Sequence, residues 1–192
     1  AHGLEHHTTL TGFKWIARAP GLGFGYEEAI GFCPDPAHVR DKDGIATSVV
    51  AASLVAALKA QGRSVWDELE RLARLHGLHV SSPLTFRVEE IEQIASGMAR
   101  LRAQPPSVLA GSPVVEVSDL SQGYRGLPPT DGVLVLTEAG DRVIARPSGT
   151  EPKLKCYLEV ILPVAEGEPL PWEQAHERLD AIKGAFAEII GL

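Results

Sequence analysis

Residues 142–162 read RVIARPSGTEPKLKCYLEVIL. The last ten residues of this stretch alternate, with apolar side chains at every second position, which predicts a half-buried β-strand over 153–162. Residues 142–146 are predicted to form the preceding strand. Pro147 cannot donate to a strand ladder and biases Arg146 towards extended geometry, so the chain is expected to leave the sheet there. The sequence therefore predicts two strands in this region, joined by a loop that begins at Pro147.

This loop has the composition of an anion site. Ser148 and Thr150 offer hydroxyl donors, and Gly149 permits a positive φ and a close approach of the backbone. Backbone N–H groups in such a turn can form an anion-binding nest. Arg146 adds a planar guanidinium suited to phosphate, and Lys155 lies just beyond the loop, on the strand face opposite the apolar residues. The alternative is a polar strand connection that binds nothing.

Residues 146–157, RPSGTEPKLKCY, resemble the phosphate-binding loop of the α-D-phosphohexomutases, the phosphoglucomutase and phosphomannomutase family. In that family the loop lies in the fourth and last domain and holds the phosphate that is not being transferred. Lys155 stands where the family places a second cation on the following strand. The resemblance implies phosphate binding by five residues: Arg146, Ser148, Gly149, Thr150 and Lys155.

The resemblance extends to the beginning of the chain. Residues 11–16, TGFKWI, resemble the third-domain loop that approaches the sugar, and residues 25–32, GYEEAIGF, resemble the sugar-binding loop of that domain. A carboxylate there can accept hydrogen bonds from two sugar hydroxyls and so fix the orientation of the ring. The resemblance implies sugar binding by five residues: Thr11, Gly12, Lys14, Glu27 and Glu28.

The second of these loops, residues 25–32, departs from the sequence that many family members have there. Aligned on Gly31, Glu28 takes the place of the family's glutamate, while Ile30 and Phe32 replace a serine and a histidine. The departures resemble the phosphoglucomutase and phosphopentomutase branch. They leave open whether a hexose or a pentose is preferred.

Residues 41–45, DKDGI, resemble the family's Lys-Asp-Gly segment. They precede a predicted helix N-terminus, a place where anions collect. The resemblance implies a catalytic role for Lys42, facing the phosphoryl group in transfer. The alternative is a solvated lysine between Asp41 and Asp43, which are read as caps.

The family reaction interconverts a sugar 1-phosphate and 6-phosphate, or a pentose 1- and 5-phosphate, through a phosphoserine and a bisphosphorylated sugar. The resemblance places the serine and an Asp-x-Asp-x-Asp loop for Mg²⁺ in domains one and two, and neither motif occurs here. We expect Mg²⁺ only in the full-length enzyme, and no metal bound by this chain. Because the chain begins at Ala1 and its single methionine is Met98, we expect the C-terminal portion of a longer enzyme. Because it lacks the serine and the metal loop, we expect this portion to be inactive alone.

Apolar residues spaced by three and four, together with cap signals, predict helices over 45–60, 64–76 and 89–103 and from about 171. Further strands are predicted over 78–88, 114–117 and 131–137. We place a boundary near Gly77. Residues 1–77 are expected to be the remainder of an α/β sugar-binding domain three, and residues 78–192 an α+β domain four, a mostly antiparallel sheet flanked by two helices.

Composition excludes several classes of protein. The 192 residues are 44% hydrophobic with a net charge of −7, which argues against disorder and against binding along a nucleic-acid backbone. No apolar run reaches the roughly 18 residues of a membrane span. Cys33 and Cys156 are expected to be buried thiols of a cytoplasmic protein. Residues 78–192 carry 10 basic and 16 acidic residues, so a cluster of cations there would not be a consequence of composition.

The expected partners are a sugar phosphate and the missing N-terminal domains of the same chain, with no nucleic acid and no membrane. A partial α/β domain lacks partner strands and exposes apolar surface, so we expect self-association. Two alternatives stay open at this point. One is a non-catalytic sugar-phosphate or anion-binding module, and the other is a small α+β interaction domain without a ligand.

Overall fold

The computed structural model describes residues 3–28, 31–148 and 151–191. Contacts divide the chain into two compact units, residues 1–68 and residues 69–192. Helix α3 (Val65–His76) contains the division. The domain boundary near Gly77 stays a prediction.

The first unit contains a single-turn helix, two short strands and one long helix. In chain order they are α1 (Phe13–Ile16), β1 (Gly25–Glu27), β2 (Gly31–Cys33) and α2 (Gly44–Ala60). Strands β1 and β2 pair antiparallel, and α1, a single turn, was not expected. A small core of Phe13, Ile16 and Cys33 packs α1 against the β1–β2 hairpin.

The two long helices of this region begin at the predicted caps. The Asp43 carboxylate accepts hydrogen bonds from the backbone N–H groups of Ile45 and Ala46, each at 3.0 Å. At the start of α3, Asp67 accepts from the Ser64 N–H at 2.6 Å, and the Asp67 N–H donates to the Ser64 hydroxyl at 3.2 Å. This reciprocal pattern is a capping box. The hydrogen bond from the Ser64 backbone lowers the pKa of the Asp67 carboxyl.

The second unit contains a six-stranded antiparallel sheet of order β3-β8-β7-β6-β5-β4. Its strands are β3 (Leu78–Arg87), β4 (Val108–Leu109), β5 (Ser112–Asp119), β6 (Val133–Thr137), β7 (Arg142–Pro147) and β8 (Lys153–Leu162). Its long helices are α4 (Ile91–Ala103) and α5 (Trp172–Ile190). This confirms the expected partial domain three followed by an α+β domain with an antiparallel sheet.

Alternation along β8 explains how the sheet is covered. Leu154 and Cys156 are fully buried in one core with the apolar seams of α4 and α5, whereas Lys155 between them is exposed. Both helices therefore pack on the same face of the sheet. We call the opposite face, which carries Arg146, Lys155 and Tyr157, the open face.

Two details of the sheet bear on the sequence predictions. Pro83 lies in β3, an edge strand, where a sheet tolerates proline. Strand β5 is longer than the 114–117 predicted, because an irregularity between Val114 and Glu116 interrupts its alternation.

Among the described residues, no single helix is long and apolar enough to cross a membrane. Helices α2 and α3 meet the length and composition test only when taken together, and they are bent by 89° at the break between them.

Candidate functional site

The connection between β7 and β8 is the loop for which phosphate binding is predicted. Its base is closed by hydrogen bonds, because the Ser148 N–H donates to the Lys153 carbonyl at 2.8 Å and the Lys153 N–H donates to the Glu151 carbonyl at 2.7 Å. These two amides are used within the loop and do not face an anion as the nest interpretation requires. Gly149 and Thr150, the other predicted loop residues, lie outside the described residues.

The structure brings the two predicted cations of this loop together. Arg146 and Lys155 are directly paired across β7 and β8, and their side chains share the open face. Thr85 of β3 is paired with Lys155 on the other side, so one row of three residues crosses three strands. Like charges directly opposite each other on adjacent strands destabilise a sheet. Within the described ranges, no carboxylate forms an ion pair with either cation.

Two further cations lie beside this row, and the sequence analysis missed both. Arg87, the last residue of β3, is paired with Lys153, the first residue of β8, on the same open face. Alternation along β8 puts Lys153 on the same face as Lys155, so this cation could have been found from the sequence. Arg87 could not, because only the register of β3 with β8 places it beside the loop.

One carboxylate that interacts with these cations belongs to Glu151. Its Oε1 accepts a hydrogen bond from Lys153 Nζ at 2.6 Å. This contact lowers the pKa of the Glu151 carboxyl, and the charges of Lys155 and Arg87 lower it further. The fields of the three cations therefore converge on the Glu151 carboxylate.

In the first unit, a different ion pair joins two predicted residues. Lys42 Nζ donates to Glu27 Oε1 at 2.8 Å; the Glu27 side chain is 10% exposed and that of Lys42 is 50% exposed. The ammonium group also lies 5.6 Å from the centre of the Phe13 ring. The bond to Glu27 and its charge raise the pKa of Lys42.

Tight packing fixes the Glu27 side chain. A Cβ atom on Gly31, its partner across the hairpin, would come within 2.5 Å of Glu27 Cγ and 2.6 Å of the Phe13 ring. The close fit at Gly31 thus depends on the absence of a side chain. Glu28, by contrast, lies in the exposed turn that follows β1.

The remaining predicted residues of this unit surround α1. Thr11 and Lys14 are exposed, and Gly12 precedes the helix with a φ of 110°. Lys14 Nζ lies 5.5 Å from the centre of the Trp15 ring, within the range of a cation–π interaction. Ile30, one of the two departures from the family pattern, lies outside the described residues, and Phe32 packs on Tyr26 with ring centres 5.2 Å apart.

Two domain profiles of one family match this chain. Residues 1–75 match the phosphoglucomutase/phosphomannomutase alpha/beta/alpha domain III, and residues 84–170 match the phosphoglucomutase/phosphomannomutase C-terminal domain. The chain belongs to the phosphoglucomutase/phosphomannomutase family. Its relatives include phosphohexomutases and phosphopentomutases, which are isomerases.

Three curated relatives show the range of the family. A probable phosphomannomutase of Haemophilus influenzae is 41% identical over 82% of this chain and 32% of its own length. A mouse phosphopentomutase is 30% identical over 97% of this chain and 33% of its own length. A Staphylococcus aureus phosphoglucomutase is 31% identical over 84% of this chain and 33% of its own length. The chain thus spans about a third of the length of these relatives.

A solved structure supports the fold of this phosphoglucomutase/phosphomannomutase family member. The exocytosis-sensitive phosphoprotein pp63/parafusin, a phosphoglucomutase from Paramecium in its open form, superposes with a TM-score of 0.55. The match covers 86% of this chain and 30% of that protein at 17% identity. At this identity the likeness shows the fold alone.

Enzymes of this family use Mg²⁺, an ion that binds oxygen ligands. Across residues 3–28, 31–148 and 151–191, no group of three or more His, Cys, Asp or Glu side chains is placed to hold a metal ion. Asp41 and Asp43 are occupied by backbone N–H groups at the start of α2. The described residues do not fit the metal, and no catalytic step is assigned to it here.

Proposed function

We propose that this chain supplies the substrate-binding half of a sugar-phosphate mutase. The substrate class is a hexose 1- or 6-phosphate or a pentose 1- or 5-phosphate, and the reaction passes through a phosphoserine and a bisphosphorylated sugar. The second unit anchors the phosphate that is not transferred, and the first unit recognises sugar hydroxyls. The serine and the Mg²⁺ belong to parts of the enzyme outside this chain, which binds substrate but does not turn it over.

The observation that carries this proposal is the like-charged pair of Arg146 and Lys155 on the open face. Such a pair costs folding stability unless an anion lies against it. A phosphate would compensate both charges and accept a forked pair of hydrogen bonds from the guanidinium. The part-buried Ser148, whose backbone N–H is already used, has its hydroxyl to contribute. Hydrogen bonds to charged groups contribute roughly 1.5–3 kcal/mol each, so a few suffice as an anchor.

The same arrangement suits the reorientation that the reaction demands. Because the bisphosphorylated sugar turns over between the two transfers, one anchor must accept a phosphate from either end of the sugar. Donors that contact only phosphate oxygens meet this requirement. Arg146 and Lys155 present cationic groups that are indifferent to the rest of the sugar.

The contact between Glu27 and Lys42 supports the role proposed for the first unit. Lys42 holds one oxygen of the carboxylate and leaves the other able to accept a sugar hydroxyl, in an orientation that packing has already fixed. The raised pKa keeps Lys42 protonated at neutral pH, so its proposed role is to neutralise the transferring phosphoryl group and not to accept a proton. Thr11, Gly12, Lys14 and Glu28 complete the proposed sugar site.

The surface of α2 supports the proposed association with further protein. Large aliphatic side chains are exposed along this helix: Ile45, Val49, Val50, Leu54 and Val55. We assign this surface to a contact with the rest of the longer polypeptide, and expect the isolated chain to self-associate through it. Size-exclusion chromatography with light scattering should show an average mass that rises with concentration; a monomer at every concentration would contradict this assignment.

Calorimetric titration with glucose 1-phosphate tests the proposed function. Arg146→Ala should raise Kd at least about tenfold, since it removes a charge-assisted contact. Arg125→Ala is the matched control, because Arg125 is an exposed arginine of the same unit that pairs with Glu116 away from the loop. A chain that binds no sugar phosphate, or binds it equally well after Arg146→Ala, would refute the proposal.

A further inference from the structure

Arg87 reaches the phosphate loop from a different part of the sequence. It ends β3, and the register places it opposite Lys153 and diagonal to Lys155 on the open face. The next residue, Val88, donates its backbone N–H to the carbonyl of Pro152 at 3.1 Å. The end of β3 is therefore tied to the end of the loop, and the backbone that carries Arg87 has a fixed position beside it.

Among the described residues, the Arg87 side chain has no ion-pair partner. It is exposed to solvent. Its charge nevertheless acts on the Glu151 carboxylate, together with those of Lys153 and Lys155. An anion already lies at the point where these three cations converge, and it is part of the protein.

The whole group is electrostatically unbalanced. Four cationic side chains lie on three neighbouring strands at this end of the open face: Arg87, Arg146, Lys153 and Lys155. Among the described residues, the only carboxylate in an ion pair with any of them is that of Glu151, which contacts Lys153. This excess lies in the half of the chain that carries 16 acidic residues, so it is not a consequence of composition. An incoming dianion would be attracted by the cations that Glu151 partly neutralises.

We propose that Arg87 is a phosphate-binding residue of this site, and that Glu151 is an internal anion that competes with the phosphate for the same cations. The inference rests on the proposed function, because it adds a residue to the phosphate anchor of Arg146 and Lys155. When phosphate binds, the Lys153 ammonium is shared between Glu151 and the ligand. The occupied site then draws on three strands, β3, β7 and β8, and not on the loop alone.

The test is calorimetric titration of the 192-residue chain with inorganic phosphate at low salt and about pH 8, where phosphate is a dianion. Arg87→Gln should raise Kd about tenfold, and Arg87→Lys, which keeps the charge, should restore most of the affinity. Glu151→Gln should lower Kd about threefold, because it removes the competing anion. The matched control is Arg142→Gln, which removes a positive charge at the far end of β7 on the same face.

The outcomes separate this inference from the proposed function. If Arg146→Ala weakens binding and Arg87→Gln does not, the phosphate site stands and the role of Arg87 is overturned. If neither variant changes Kd, the proposed function itself fails. An equal loss from Arg87→Gln and Arg142→Gln would show a general charge effect and would overturn the local role. Weaker binding after Glu151→Gln would overturn the competition.

Discussion

The two ends of strand β7 differ in how their charged side chains are paired. Before its first residue, the Asp141 carboxylate is fully buried, accepts two hydrogen bonds from Arg178 at 2.7 Å each and one from the Thr137 hydroxyl at 2.8 Å. At the other end, Arg146 lies on the open face with Lys155 directly opposite. One end is saturated with partners of opposite sign, and the other holds like charges together.

The difference separates a contact that stabilises the fold from one that binds. The bond to Asp141 raises the pKa of Arg178, and it fastens α5 to the turn between β6 and β7. Because the Asp141 carboxylate already has its partners, this pair leaves no charge for a ligand to compensate. The other end is left with unsatisfied positive charge, which costs stability and makes a ligand the missing partner.

Breaking the saturated end should have the largest effect. Arg178→Met keeps the aliphatic volume but leaves the buried Asp141 carboxylate with only the Thr137 hydroxyl. We expect the free energy of unfolding to fall by about 3 kcal/mol, since removal of one partner leaves a buried charge unpaired. Denaturation in urea measures the change, and a loss below about 1 kcal/mol would show that the pair does not hold the turn to α5.

A double variant controls for packing. Arg178→Met combined with Asp141→Leu replaces the ion pair by apolar side chains and should recover part of the lost stability. Equal stability of the single and double variants would mean that the loss came from packing and not from an unpaired carboxylate. Phosphate affinity should be unchanged in whatever fraction stays folded.

Reversing one charge at the other end should change the free energy of unfolding less than Arg178→Met does, and in the opposite direction. Lys155→Glu puts a carboxylate opposite Arg146 and converts a repulsive cross-strand pair into an attractive one. We expect the free energy of unfolding to rise by about 0.5 kcal/mol, while phosphate binding falls at least about tenfold.

Thermal melting with and without phosphate shows both effects at once. Phosphate should raise the Tm of the unaltered chain above that in chloride at equal ionic strength, because a ligand that binds only the folded state stabilises it. The Lys155→Glu variant should melt higher in chloride but gain nothing from phosphate. A lower Tm of Lys155→Glu in chloride, compared with the unaltered chain, would contradict the view that repulsion between Arg146 and Lys155 lowers the stability of the fold.

The sequence predicted the second unit better than the first, and local signals explain why. Alternation along β8 and the Pro147 break were enough to predict the loop and to place Lys155 opposite the apolar residues, since both signals depend on neighbouring residues. That Arg146 shares this face follows only from the pairing of β7 with β8. Arg87 was missed because its position depends on the pairing of β3 with β8, strands separated by more than sixty residues. Pairing over such distances leaves no local pattern to read.

In the first unit, too, residues close together in the sequence were predicted to interact, whereas a contact between more distant residues was not. The caps of α2 and α3 were found from residues within one turn. The contact of Lys42 with Glu27 joins residues fifteen positions apart across the β1–β2 hairpin. Aligned on Gly31, the resemblance favoured Glu28, whereas packing around Gly31 orients Glu27 towards Lys42. Which glutamate binds the sugar stays a prediction.

The smallest expected effect separates those two glutamates. The pKa of Lys42 is raised by Glu27, so its ammonium should titrate above the ordinary value of 10.5 when followed by NMR at the side-chain ε carbon. Glu27→Gln should return the midpoint towards that value, whereas Glu28→Gln, the neighbouring exposed carboxylate, should leave it in place. Because this pKa is raised on folding, the pair stabilises the chain fully below pH 10.5, and its contribution is lost as Lys42 deprotonates. An equal shift in both variants would mean that Lys42 senses only the overall negative charge of the loop.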